Sequence, residues 1–324
     1  MHFSRKENDV IEVDNVTKRY GQRLAVDHLN FTVNKGEILG FLGPNGAGKS
    51  TTMNIITGYL SATDGTVRVD GHDILAEPEA VKRNIGYMPE LPPLYMDMTV
   101  EDYLAFVCEI KKVPRPEQKK DRERAMDLLK ITDVRGRMIK NLSKGYKQRV
   151  GIAQAVIGTP PVLILDEPTI GLDPQQIIET RNLIRGLGKE HTIILSSHIL
   201  PEVSAVCDRV LIINKGKIVA SDTPENLSRG IVGENRITLR VKGAEADVLA
   251  AIRSVPDVTN AQVQGLREAG TVDVLVEARK DRDIREPLFL SLCGASLPIL
   301  MMKTMDLTLE DIFLNLTTEE KEVQ

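Results

Sequence analysis

The run Gly43-Pro44-Asn45-Gly46-Ala47-Gly48-Lys49-Ser50 constrains this chain more than any other stretch. It fits the pattern GxxxxGK[ST], and its surroundings fit as well. Glu37 to Leu42 is a short, almost wholly apolar strand before it, and Lys49 to Thr57 reads as a helix stopped by Gly58. Glycines at such a bend let successive amide N–H groups face one concavity, a nest for anionic oxygens. The helix that follows adds its positive end. Lys49 is then placed to reach terminal phosphates and Ser50 to ligate Mg²⁺, with Thr51 next on the same turn.

Two further strand ends carry matching chemistry. Val162-Leu163-Ile164-Leu165 is apolar and ends in Asp166-Glu167, where one carboxylate could hold Mg²⁺ and the next activate water. Adjacent like charges need something to offset them, and a cation would do so. Thr192 to Ser197 is a second apolar strand and runs into His198. Such a histidine alone is more often structural, but beside a phosphate loop and an acid pair it is a candidate γ-phosphate sensor.

The remaining texture predicts how these ends are arranged. The first 35 residues alternate apolar and polar (Ile11, Val13, Val16, then Leu29, Phe31, Val33), as antiparallel strands with one wet face do. Thr66 to Val69 followed by Asp70-Gly71 predicts a hairpin. Thr99 with Asp102 resembles a capping box, and helix formers dominate to about Ile131. The charge-dense part, Lys111 to Arg124, reads as a solvated helix pair with a Pro-bearing bend. Strands at 162–165, 192–196 and 210–213 are separated by enough chain for crossover helices, hence a parallel α/β sheet. Beyond Thr223-Pro224 the order becomes strand-helix-strand-strand-helix-strand, with a final amphipathic helix at 309–316. This predicts a small α+β, ferredoxin-like domain. The expected division is 1–224, with a helical subdomain at about 99–158, and an accessory domain at 225–324.

Composition excludes several classes. Lys plus Arg number 42 against 46 Asp plus Glu, so the net charge of -4 predicts no general attraction to nucleic acid or anionic lipid. No stretch approaches the roughly 18 uninterrupted apolar residues of a membrane helix. The N-terminus lacks the apolar core of a secretory signal. Cys108, Cys207 and Cys293 have no paired spacing, and read as free thiols in a reducing cytosol. A cytoplasmic chain that does not itself span a membrane is the expectation.

Leu142-Ser143-Lys144-Gly145-Tyr146-Lys147-Gln148-Arg149 resembles the signature sequence of the ATP-binding-cassette (ABC) ATPases, about two dozen residues ahead of the acid pair. Tyr20 resembles that family's adenine-stacking aromatic, and Gly171-Leu172-Asp173 is similar to its loop after the second Walker motif, with Asp173 matching the aspartate. The resemblance spans residues 10–220 and implies a P-loop NTPase core with an antiparallel β subdomain and an inserted helical subdomain. It implies ATP and Mg²⁺, with Gly43 to Thr51 on the phosphates, Ser50, Asp166 and Glu90 around the metal, Glu167 polarising water, and His198 on the γ-phosphate. It implies a homodimer, or a pairing with a paralogous ATPase, in which Leu142, Ser143, Lys144 and Gly145 close the partner's site and Asp173 lies at the dimer loop. A separate transmembrane permease would be the coupled partner, holding the subunit at the cytoplasmic face of the membrane.

Departures are visible. Lys144 and Tyr146 stand where the signature has Gly and Gln, while Ser143 and Gly145 keep their donors at a helix N-terminus. In Ile85-Gly86-Tyr87-Met88-Pro89-Glu90, a loop in this reading, Glu90 replaces the usual Gln. Glu there is familiar in the bacterial type-2 exporter branch of drug-resistance, sodium-efflux and gliding-motility transporters. Leu307 to Leu314 resembles the closing segment of those subunits, and equally an amphipathic helix capped by Thr308. Pro92-Pro93 with Leu94 and Met96 suits a docking groove for the permease or an inter-lobe hinge. The rival class is a soluble cassette acting on nucleic acid or the ribosome. Its usual coiled-coil insertion, zinc cysteines or second cassette are absent from the sequence, and the pI of about 5.9 opposes it.

Overall fold

A computed structural model describes residues 9–230, 234–265, 268–279 and 282–305. It forms two units, Met1–Pro224 and Glu225–Gln324. The first begins with β1 (Asp9–Tyr20), β2 (Arg23–Asn34), β3 (Ile38–Leu42) and α1 (Lys49–Ile56), then β4 (Asp64–Val69), β5 (His72–Asp73), α2 (Pro78–Asn84) and β6 (Ile85–Met88). Next come α3 (Val100–Ile110), α4 (Arg115–Leu128) and α5 (Lys144–Val156). It closes with β7 (Val162–Asp166), α6 (Pro174–Leu187), β8 (Thr192–Ser197), α7 (Leu200–Ser204), β9 (Arg209–Asn214) and β10 (Lys217–Asp222).

The amino-terminal alternation becomes an antiparallel sheet in the order β2-β1-β4-β5. Its β4–β5 hairpin turns on Asp70 and Gly71, both at positive φ (51° and 81°), the geometry that matches strand twist. A second sheet runs β10-β9-β3-β8-β7-β6, parallel from β9 to β6. Every residue of β3, β7 and β8 is buried, as expected of strands covered on both faces. One apolar cluster joins the two sheets: Val13, Leu29 and Phe31 meet Leu39, Phe41, Met53 and Ile194, with the Phe31 and Phe41 rings 5.8 Å apart.

Two sequence expectations change. Ile85–Met88, read as loop, is a strand paired residue for residue with β7, from Ile85↔Val162 to Met88↔Leu165. Its pairing depends on tertiary packing. Gly86 lets α5 approach so closely that a Cβ there would lie 2.1 Å from the Ala155 carbonyl oxygen, and the Gln154 amide donates to the Tyr87 carbonyl at 2.6 Å. The edge strand β10 was not foreseen. It turns back from β9 through Lys215 and Gly216, at φ 46° and 81°.

Thr99 caps α3, accepting the Asp102 amide while its hydroxyl donates to the Asp102 carboxylate. At the far end of α3, the Lys111 ammonium donates to the Ala155 and Ile157 carbonyls (2.9 and 2.8 Å), closing the C-terminus of α5. Burial pushes Lys111 down to about 8. Cys108 and Cys207 are buried and Cys293 is exposed.

Helix α8 (Pro224–Gly230) begins at the boundary between the units. The second unit contains β11 (Glu234–Lys242), α9 (Glu245–Arg253), β12 (Val258–Gly265), β13 (Thr271–Arg279), α10 (Arg285–Gly294) and β14 (Ile299–Met305). Its antiparallel sheet has the order β12-β13-β11-β14, a split β-α-β arrangement. Val248 and Ile252 of α9 and Leu288 and Leu292 of α10 pack with Leu239, Val274 and Val276 of the sheet. The expected segments at 307–314 and 309–316 lie outside the described residues.

The close approach at Gly86 generates a prediction. Gly86→Ala drives a methyl into backbone rather than into a movable side chain, and should cost about 1–3 kcal/mol. Urea unfolding checks this; a midpoint equal to that of the parent would contradict the packing described.

Candidate active site

Strands β3, β8 and β7 are neighbours and parallel, so their carboxyl ends open side by side. That geometry delivers Gly43 to Ser50 from β3, Ser197-His198 from β8 and Asp166-Glu167 from β7 to one place, where ligands of open α/β sheets bind. Within the loop, Gly46 and Gly48 adopt φ +82° and +111°, which a side chain resists. No side chain caps α1, whose first amides are left for a ligand.

The charges interlock. The buried Lys49 ammonium donates to the Gly43 carbonyl at 2.7 Å and to Pro44 at 3.4 Å, and lies 3.4 Å from Glu167 Oε1. The other Glu167 oxygen is 2.9 Å from His198 Nδ1, so in this arrangement that ring nitrogen donates. Glu167 sits at φ +49°, a strained conformation for a non-glycine residue, and its amide donates to Ser196 Oγ at 2.9 Å. The Ser196 hydroxyl in turn donates to Asp166. Burial pushes the Asp166 carboxyl up. Hydrogen bonds from Ser196 and Ser50 and the charge of Lys49 work against that rise, while Glu167 adds to it. The acid pair is thus offset unequally: Lys49 meets Glu167 directly, whereas Asp166 rests on hydroxyls.

A desolvated carboxylate beside a hydroxyl is an oxygen donor set of the kind a hard divalent cation takes. Glu90, exposed just after β6, lines the same cavity of about 610 Å³ as Ser50, Glu167 and His198. Tyr20, Pro44, Asn45, Gly46, Gly48 and Thr51 also line it. Tyr20 is half exposed, with the Lys18 ammonium 5.4 Å from its ring centroid. Gly43 and Ala47 shape the loop from behind: a Cβ on Gly43 would meet the Ile213 carbonyl oxygen at 2.5 Å, and the Ala47 amide donates to Pro44 at 3.1 Å.

Leu142, Ser143, Lys144, Gly145 and Asp173 are not brought to that cavity. Ser143, Gly145 and Asp173 line a separate depression of about 290 Å³ that shares no residue with it. Ser143 and Asp173 are the N-caps of α5 and α6, accepting the amides of Tyr146 (3.4 Å) and Gln176 (2.9 Å). Leu142 is buried. Lys144 is exposed, and its Nζ lies 2.0 Å from where a Cβ on Gly171 would be. Of the stretch read as a docking groove or hinge, Leu94 is half-buried, while Leu91, Tyr95 and Met96 are exposed. Sequence reasoning missed Ser196 as the link between Asp166 and Glu167. The signal was a serine pair closing an otherwise apolar strand.

The profile of the ABC transporter family matches residues 26–170. The linearmycin resistance ATP-binding protein LnrL of Bacillus subtilis (strain 168) is 32% identical over 311 residues, 95% of this chain and 98% of that protein. The chain belongs to the ABC transporter family, as an ATP-binding subunit. The bacitracin transport ATP-binding protein BcrA of Bacillus licheniformis is 38% identical over 212 residues, 65% of this chain and 68% of that protein. Among solved structures, cbiO1 of Clostridium perfringens, part of the ABC transporter complex cbiONQ, superposes with a TM-score of 0.63 at 28% identity, covering 70% of this chain and 95% of that one. This ABC ATPase therefore has a P-loop NTPase fold and binds and hydrolyses ATP. No described helix is long and apolar enough to cross a membrane.

For this ABC ATPase, Lys49→Ala should abolish tight ATP binding, because the loop loses its buried cation and a charge-assisted donor. Titration calorimetry decides it, and parental affinity would remove Lys49 from the phosphate site.

Proposed function

We propose that this ABC ATPase closes as a dimer around two Mg-ATP and thereby drives a separate transmembrane permease, in export. The observation that supports this most is the separation of the phosphate-loop cavity from the Ser143–Gly145 turn within one chain. A signature turn that cannot serve its own nucleotide can serve that of a second copy or of a paralogous ATPase. Ser143 and Gly145 then offer a hydroxyl and an amide at a helix N-terminus to the partner's ATP, and the capped loop at Asp173 lies beside that contact.

In this reading Gly43 to Thr51 cradle the phosphates, with Lys49 turning from Glu167 to the terminal oxygens. Tyr20 stacks on the adenine. Ser50, Asp166 and Glu90 would hold Mg²⁺, which when bound neutralises charge developing on the phosphate oxygens. Glu167 accepts a proton from the attacking water, and His198, hydrogen-bonded to it, contacts the γ-phosphate. Export is favoured by relatives named for linearmycin resistance and bacitracin transport, and it would hold the subunit at the cytoplasmic membrane face through its permease. The exposed Leu91, Tyr95 and Met96 suit that contact. Residues 225–324 form an accessory domain, and no nucleic acid is a partner.

Glu167→Gln keeps shape and hydrogen bonding but removes the base, so hydrolysis should fall by roughly two orders of magnitude or more while ATP still binds. Size-exclusion chromatography should then give a dimer with Mg-ATP and a monomer with ADP, and adding Ser143→Arg should restore the monomer. Parental hydrolysis would move the base elsewhere; an inactive variant indifferent to nucleotide would leave the base and remove the dimer. Residues 1–224 alone should also retain ATP binding by calorimetry, and a folded fragment without it would contradict the division of labour.

A further inference from the structure

Glu202 is buried beside the active site, yet none of the chemistry above uses it. It lies in α7, and its Oε2 accepts the Thr169 hydroxyl and, at 3.4 Å, the Ser197 hydroxyl. All three side chains are nearly inaccessible, at 5% for Thr169, 1% for Ser197 and 3% for Glu202. Among the described residues no cation pairs with this carboxylate, so those hydroxyls supply what water would otherwise supply.

Of the two residues it grips, Ser197 directly precedes His198 and Thr169 follows Glu167 by two positions. Thr169 belongs to the turn in which the Ile170 amide donates to the Glu167 carbonyl (3.1 Å) and the Leu172 amide to Thr169 (3.2 Å). That turn holds Glu167 at its strained φ of +49°. Ser197 is the last residue of β8 and precedes His198; its hydroxyl also accepts the Ile199 amide at 3.0 Å, and its carbonyl accepts the Gly43 amide at 3.4 Å. Glu202 is therefore the common anchor of the turn after Glu167 and the strand end before His198, with the phosphate loop attached through Ser197. The contact it spans is the 2.9 Å pair between Glu167 and His198.

We propose that Glu202 is a positioning residue for hydrolysis: through Thr169 and Ser197 it keeps Glu167 and His198 in register with each other and with the phosphate loop. Glu202 does not line the phosphate-loop cavity and acts only through the residues that do or that adjoin them. Strained conformations persist only where their surroundings over-determine them, and a small misplacement of a base costs rate far more than it costs binding. The inference rests on Glu167 being the base.

The test is steady-state hydrolysis by the full chain, with calorimetry of ATP binding. Glu202→Ala should lower kcat roughly 10- to 100-fold with the KM for ATP nearly unchanged. Glu202→Gln, which still accepts one hydroxyl, should recover part of that loss. In a Glu167→Gln background Glu202→Ala should add almost nothing, because a displaced base and a missing base are one defect. Thr169→Val, close to isosteric, should reproduce the kcat loss and stands in if Glu202→Ala does not fold. A parental kcat in folded Glu202→Ala or Thr169→Val overturns the proposal, and so does a loss that is purely in KM or that multiplies in the Glu167→Gln background. If Glu167→Gln itself hydrolyses at the parental rate, the assignment of the base fails and Glu202 positioning falls with it; if Glu167→Gln is inactive and Glu202→Ala is parental, only the role of Glu202 fails.

Discussion

Two carboxylates at consecutive positions, Asp166 and Glu167, are both removed from water at the end of β7, and much of the first unit answers to that. Isolated buried charge is too costly to persist, so each acid needs its own compensation. Glu167 takes the Lys49 ammonium and the His198 ring; Asp166 takes two hydroxyls and stays poised for something stronger. The arrangement that strains Glu167 is also complementary to a cation and a polyanion together. The trade is familiar wherever a binding site is built ahead of its ligand.

Strand order makes the compensation possible. Lys49 follows β3, His198 follows β8 and the acids end β7, and only a sheet in which β8 lies between the other two brings the three groups within a few ångströms. The apolar cluster shared with the antiparallel sheet fixes the face of β3 on which the loop emerges. The rigid part of the site is thus a property of the central sheet, and the signature turn, borne on α5, belongs to a different surface.

What could be read beforehand divides along the same line. The phosphate loop, the acid pair and His198 were legible because their chemistry is local: each is a short run at the end of an apolar strand, and spacing along the chain is enough to recognise it. In the second unit, period-two alternation at 237–241 and 272–276 fell within β11 and β13 for the same local reason. Ile85–Met88 was not legible as a strand, since four residues hold too little pattern and the approach of α5 over Gly86 comes from Ala155, far downstream in the chain. Nor was the link through Ser196, which matters only once β7 and β8 are neighbours. Leu94 shows the converse, an apolar residue of the stretch after β6 that packing draws partly inward.

The distribution of thiols sets up a difference in reactivity between the two units. Burial pushes Cys108 up to about 11 and also raises Cys207, so neither offers thiolate at neutral pH, and both are buried. Cys293, at the end of α10, is exposed. A maleimide dye would therefore decorate the second unit alone and leave the nucleotide site chemically untouched, giving the native chain a single built-in attachment point for fluorescence without any engineered cysteine.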